Sequence, residues 1–121
     1  PTDRGGQGGA VVNVSSAAAR LGGPGSQTDY AASKGAIDTL TWGLAQELGP
    51  GGVRVNGVRP GIIATDIHSD LGAPCRIQTI GAAPPAGRPG EADEVAEAIL
   101  WLLSEAASYV TGSTIDVSGG R

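Results

Sequence analysis

The sequence predicts an α/β fold built on a parallel sheet, and three features of its 121 residues carry that reading. Short β-branched runs alternate with longer stretches of helical periodicity in the order strand, helix, strand, excursion, helix, strand, which is the order a parallel sheet with crossover helices requires. The first run, Ala10 to Ser15 (AVVNVS), is almost continuously apolar, as expected of a strand covered on both faces. A hydrophobic content of 40% with 17% charge is that of a globular domain and not of a disordered chain.

Each element follows from local chemistry. Residues 1–9 (PTDRGGQGG) are polar and glycine-rich and read as a linker or loop at which a longer chain has been cut; residues 10–121 then form the C-terminal half of one domain. After the first strand, Leu21 to Gln27 is a loop rich in Gly, Pro and Ser, and Thr28 or Asp29 is positioned to cap a helix running to about Leu48. Ile37, Leu40, Leu44 and Leu48 recur on it at steps of three and four, and Gly49-Pro50-Gly51-Gly52 stops it. Val53 to Val58 is the second strand. Ile62 to Gly90 has no clean periodicity and reads as an irregular excursion with room for one short helix. In the next helix Ala92, Val95, Ala96, Ile99, Leu102 and Leu103 share a face, and Glu91, Asp93, Glu94 and Glu97 crowd the N-terminal end, where the helix dipole favours acids. Ser113 to Val117 is the last strand, and the Ser118-Gly119-Gly120-Arg121 tail after it reads as a natural C-terminus.

Several function classes are disfavoured. No stretch approaches the roughly 18 consecutive apolar residues that cross a bilayer, and no signal peptide opens the sequence. A net charge of −4 leaves no basic stripe for nucleic acid. One cysteine, Cys75, cannot form an internal disulfide, which fits the reducing cytoplasm. Cys75 has no second cysteine or histidine at ligand spacing, Asp66 and Asp70 make no site on their own, and no metal is expected. His68 reads as a solvated loop residue, and Trp42 and Trp101 as packing or subunit-contact residues.

The chemistry concentrates around Lys34, the only lysine, which follows Tyr30 by four residues in Tyr30-Ala31-Ala32-Ser33-Lys34. On a helix the two side chains share a face. An ammonium beside a phenol favours the phenolate, and such a pair can move a proton at a carbonyl or hydroxyl; the bland alternative is a solvated lysine beside a half-buried tyrosine. Asn13-Val14-Ser15-Ser16 ends the first strand and Arg59-Pro60-Gly61-Ile62-Ile63-Ala64-Thr65 follows the second. Both stretches lie at the carboxyl edge of the sheet, where ligands of such sheets bind.

Asn13-Val14-Ser15-Ser16, Tyr30-Ala31-Ala32-Ser33-Lys34-Gly35-Ala36, Arg54-Val55-Asn56-Gly57-Val58-Arg59-Pro60-Gly61, Thr111-Gly112 and Asp116-Val117-Ser118-Gly119-Gly120, in this order and spacing, resemble the C-terminal half of a short-chain dehydrogenase/reductase over about residues 8 to 120. The resemblance implies a Rossmann-type doubly wound parallel sheet, present here as its C-terminal three-strand portion. It also implies an oxidoreductase that interconverts an alcohol and a carbonyl with NAD or NADP, either sugar/polyol dehydrogenase-like or 3-oxoacyl-carrier-protein reductase-like. Carried over by motif, Tyr30 would be the general acid/base, Lys34 would bind the nicotinamide ribose and tune the phenol, and Ser16 would orient the substrate oxygen. Tyr30, Lys34, Pro60, Gly61, Ile63 and Thr65 would line the nicotinamide end of the cofactor site. Ser15 rivals Ser16, because the separation of Ser16 from Tyr30 is one residue longer than is common in the family; Ser16 is favoured as the second serine of the pair. The family's glycine-rich phosphate turn, its Asn-Asn-Ala-Gly block and its catalytic asparagine are absent from the sequence, so the fragment is expected to be inactive alone. A homodimer or homotetramer acting on a small-molecule substrate, with neither nucleic acid nor membrane as partner, is expected of the intact protein. The reading from a different class is a non-catalytic assembly or binding module that keeps part of the fold.

Overall fold

The computed structural model describes residues 8–25, 27–64 and 84–121. Along the chain these form β1 (Gly9–Val14), α1 (Ala18–Leu21), α2 (Thr28–Leu48), β2 (Val53–Pro60), β3 (Ile63–Ala64), β4 (Gly90–Glu91), α3 (Ala92–Leu103) and β5 (Thr114–Val117). Thr65, His68 and Cys75 lie outside the described residues, as does most of the excursion expected from the sequence.

The main sheet has the order β1-β2-β5, and both pairings are parallel. Val14 stands beside Val58 and Val58 beside Ile115, so the carboxyl ends of the three strands form one edge. Side chains alternate across the sheet. Arg59 reaches Asp38 on α2, whereas Arg54 on the opposite face reaches the last carbonyls of α3. The two long helices therefore cover opposite faces of β2. Four consecutive residues at its centre, Val55 to Val58, are buried, and with Leu102, Ala31, Ala45 and Thr41 they make the core.

The polar members of that core hold the strand to its neighbours. Arg54 donates to the carbonyls of Leu102 at 2.8 Å, Ser104 at 3.1 Å and Val110 at 3.2 Å, and so caps the C-terminal end of α3, where a cation is favoured. Asn56 is fully buried, donates to the Val110 carbonyl at 2.9 Å and accepts from the Ser113 amide at 3.0 Å. Both polar ends of its amide are thus satisfied, as burial demands. On the other face Asn13 donates to the Thr41 hydroxyl at 3.0 Å and ties β1 to α2.

Five sequence expectations need correction. Neither Thr28 nor Asp29 caps α2: the N-cap position is Gln27, without a side-chain bond, and the Asp29 carboxylate accepts from the Tyr30 amide instead. The stretch Leu21 to Gln27 is not all loop, because α1 extends to Leu21 and ends on Gly22 in the left-handed conformation. The α2 residues in the core are Ala31, Thr41 and Ala45, while Leu40 is exposed, because small side chains let the helix lie close to the sheet. Finally, the expected excursion is ordered at both mouths, where β3 and β4 pair in parallel. β2 also runs two residues further than expected, to Pro60.

Candidate active site

The carboxyl edge of β1 and β2 leads into two segments that face each other. Beyond β1, the Ser15 amide donates to the Val58 carbonyl at 2.8 Å and the Ala17 amide to the Pro60 carbonyl at 2.9 Å, so the backbone is pinned on both sides of Ser16. Pro60 has no N–H to donate and serves here through its carbonyl alone. Beyond β2, the Gly61 amide donates to the Val117 carbonyl. A side chain at Gly61 would meet Ser118 at 2.9 Å, which explains a glycine where the strand leaves the sheet.

The adjacent serines differ. Ser15 is buried and its hydroxyl donates to the Lys34 carbonyl at 3.1 Å, docking α2 on the end of β1. The Ser16 hydroxyl accepts from the Ala18 amide at 3.1 Å at the start of α1, and its own proton has no acceptor among the described residues. Ser16 also borders a cleft of about 300 Å³, with Leu21, Gln27, Pro60, Gly61 and Ile62 among its walls. Tyr30 and Lys34 are not in those walls; they lie on the first two turns of α2, which begins directly after the wall residue Gln27.

Lys34 Nζ lies 5.7 Å from the centre of the Tyr30 ring, within cation–π range, and donates to the Val14 carbonyl at 3.3 Å. The ammonium is thereby held at the end of β1 and beside the phenol. Tyr30 is 44% exposed, and its hydroxyl has no partner among the described residues. Thus Ser16 lies just beyond β1, Pro60 ends β2, Gly61 and Ile63 follow it, and Tyr30 and Lys34 lie on the first turns of α2, while Thr65 is outside the described residues.

One feature at this edge escapes the sequence reading. Arg59 donates to Asp38 on α2 at 2.9 Å and to Asp116 on β5 at 3.3 Å, and Arg20 on α1 stands 3.7 Å from the same Asp116. The Asp38 hydrogen bond and charge, with those of Asp116, hold the Arg59 guanidinium above its ordinary value against the opposing effect of partial burial. No local motif signals this set, since its members are separated by 21 and 57 residues in sequence. Among the described residues no group of His, Cys, Asp and Glu is arranged to hold a metal, and no helix is long and apolar enough to cross a membrane.

Residues 3–121 match the family described as enoyl-(acyl carrier protein) reductase. The chain is 60% identical over 117 residues to an uncharacterized oxidoreductase, YgfF, of Escherichia coli strain K12, covering 97% of this chain and 47% of the relative. It is 43% identical over 116 residues to an L-rhamnose 1-dehydrogenase (NAD(P)(+)) of Azotobacter vinelandii, covering 95% of this chain and 45% of that protein. Among solved structures, a 3-oxoacyl-[acyl-carrier protein] reductase from Brucella melitensis superposes with a TM-score of 0.84 at 43% identity, over 92% of this chain and 41% of that one. The chain spans less than half the length of these proteins. Its parallel β1-β2-β5 sheet, the helices on either face and the matches over nearly all its residues have one meaning: the chain belongs to the short-chain dehydrogenase/reductase family, with a partial Rossmann α/β fold.

Proposed function

We propose that this chain supplies the proton-transfer half of an NAD(P)-dependent oxidoreductase that interconverts an alcohol and a carbonyl. The observation that carries the reading is the grouping, at one edge of a parallel sheet, of a phenol, an ammonium 5.7 Å from its ring and a hydroxyl whose proton has no acceptor among the described residues. The residues present fit one end of the cofactor. Pro60 and Ile62 offer apolar surface for a flat ring, and the Lys34 ammonium is a donor for ribose hydroxyls. Among the described residues no glycine-rich turn leads from a strand into a helix, so the pyrophosphate end has no counterpart in them.

A nicotinamide cofactor held by Lys34 and the Pro60–Ile62 turn would supply or accept the hydride at the substrate carbon. In the reducing direction the Tyr30 hydroxyl gives its proton to the substrate oxygen, and in the oxidising direction the phenolate takes it back. Lys34 stabilises that phenolate by its charge while holding the ribose. Ser16 donates a hydrogen bond to the same oxygen and polarises the C–O bond. The similar proteins include an L-rhamnose 1-dehydrogenase and a 3-oxoacyl-[acyl-carrier protein] reductase, which supports an alcohol or carbonyl as substrate. The outward face of α2, with Ala32, Ala36 and Thr39 exposed and open space over Gly35 and Gly43, suits close approach of a second copy in a homodimer or homotetramer. We place this enzyme in the cytoplasm, a reducing compartment that suits Cys75, the one cysteine of these 121 residues.

The test is Lys34→Ala in the full-length gene product, with NADH and NADPH binding followed by fluorescence and turnover followed with acetoacetyl-coenzyme A and L-rhamnose. Cofactor affinity and turnover are both expected to fall at least tenfold, because one ammonium serves ribose and phenol. Unchanged affinity and turnover would make Lys34 a surface charge. A wild-type protein that binds neither cofactor would be an assembly module.

A further inference from the structure

We propose that Arg59, through its ion pairs with Asp38 and Asp116, is a positioning residue that fixes the spacing between the segment carrying Ser16 and the helix carrying Tyr30 and Lys34. The inference rests on the site proposed above and adds a residue that touches neither substrate nor cofactor.

Three observations converge on Arg59. Its backbone neighbours are the acceptors that pin the Ser16 segment, since Val58 and Pro60 take the amides of Ser15 and Ala17. Its side chain grips Asp38, one helical turn beyond Lys34 on the same helix, at 2.9 Å. Its other nitrogen reaches Asp116, the β5 residue in register with it, at 3.3 Å. One guanidinium therefore joins the end of β2, the middle of α2 and the end of β5. The fork suits this task because a planar guanidinium presents separate donors in fixed directions, whereas an ammonium is a point charge on a flexible stem.

Burial makes the link more than a surface ion pair. The side chains of Arg59 and Asp38 are 21% and 18% exposed, and Asp38 Oδ1 is buried with no hydrogen-bond partner among the described residues. Among the described residues Arg59 is the only cationic partner of that carboxylate, so removing it would leave a largely buried charge alone. The Ser15–Lys34 and Lys34–Val14 bonds lie one turn along α2 from this anchor, and both depend on where the helix sits over β1.

The test compares Arg59→Gln, Arg59→Lys and the charge-free double variant Asp38→Asn/Arg59→Gln in the full-length gene product, with Arg54→Gln as a control that weakens bonds to the Leu102, Ser104 and Val110 carbonyls on the opposite face of the sheet. Amide hydrogen exchange is read at Ser15 and Ala17, and turnover of acetoacetyl-coenzyme A with NADPH is read at a temperature where each variant is folded. For Arg59→Gln, exchange at Ser15 and Ala17 is expected to rise at least tenfold while Val12 is unchanged. Its kcat should fall about tenfold with KM for the cofactor altered less than about twofold, and Arg59→Lys should recover part of that loss. The double variant, should Arg59→Gln fail to fold, is expected to show the same fall in kcat. A lowered melting temperature with kcat, KM and local exchange all unchanged, as expected for Arg54→Gln, would overturn the inference and leave Arg59 a purely structural residue. Tyr30→Phe, assayed alongside, separates the two readings: if it is inactive and Arg59→Gln fully active, only the positioning role falls; if it is fully active, the site assignment falls and this role with it.

Discussion

Two neighbouring serines show how much a single backbone step decides. Ser15 and Ser16 have the same chemistry, and the sequence leaves them as rivals for one role. A one-residue step after a strand turns one inward to bond the Lys34 carbonyl and the other toward the cleft. If the proposed roles hold, Ser15→Ala should lower stability by about 1 kcal/mol, the net worth of one buried hydrogen bond, and change turnover little at temperatures where it is folded. Ser16→Ala should leave the melting temperature almost unmoved and lower kcat at least tenfold. Paired thermal melts and steady-state assays check both, and the reverse pattern would transfer the substrate role to Ser15. The Tyr30 and Lys34 pair was legible in the sequence because helical periodicity converts a separation of four residues into a shared face. Arg59 was not legible. Its partners come from α2 and β5, and no local pattern records a contact that only the assembled sheet creates.

At the scale of elements, long periodic segments were readable and short ones were not. The C-terminal bound expected for α2 matches the one observed, because 21 residues of helical pattern ending in a glycine run leave little freedom. β3 and β4 are two residues each, too short to show any period, and exist only because the mouths of the excursion lie side by side. The start of α3 illustrates a readable element with an unread detail. The sequence shows acids at its N-terminal end, but it does not show that Glu91 and Glu94 form a reciprocal capping box or that Arg88 grips Glu94 at 2.7 Å. The hydrogen bonds from Arg88 and then from the Glu91 amide lower the Glu94 carboxyl from 4.5 to about 2. A carboxyl depressed on folding stabilises the native state fully above its unfolded value, and that contribution disappears as pH falls through the folded value. The melting-temperature difference between wild type and Glu94→Gln should therefore be present at neutral pH and close between pH 4.5 and about 2. It should also shrink with added salt, because the pair is exposed. A difference constant across that pH window would show that the capping geometry matters and the charge does not.

For the molecule as a whole, the parallel strand direction followed from the alternation of elements, since strands joined through a crossover helix run parallel; the order β1-β2-β5 is a finding of the structure. The sequence placed the ends of β1 and β2 at one edge, but it did not show the tail beyond β5 arriving there. The turn beyond β1, the end of β2, the first turns of α2 and the tail beyond β5 all meet at one edge, and the tail packs there on Pro84, Pro85 and Ala86. β1 has β2 on one side and no partner strand on the other among the described residues, and Val11 and Val14 along it are exposed. Such an edge is a template for further pairing. The proposal that this edge carries proton transfer stands or falls on one oxygen atom, the Tyr30 hydroxyl. The direct measurement is the turnover of Tyr30→Phe in the full-length gene product, followed by NAD(P)H absorbance with the substrate the wild type uses, with melting temperature and cofactor affinity recorded on the same preparation. Loss of a general acid/base is expected to lower kcat by two or more orders of magnitude, with folding and cofactor affinity close to wild type. Turnover near that of the wild type would contradict the assignment.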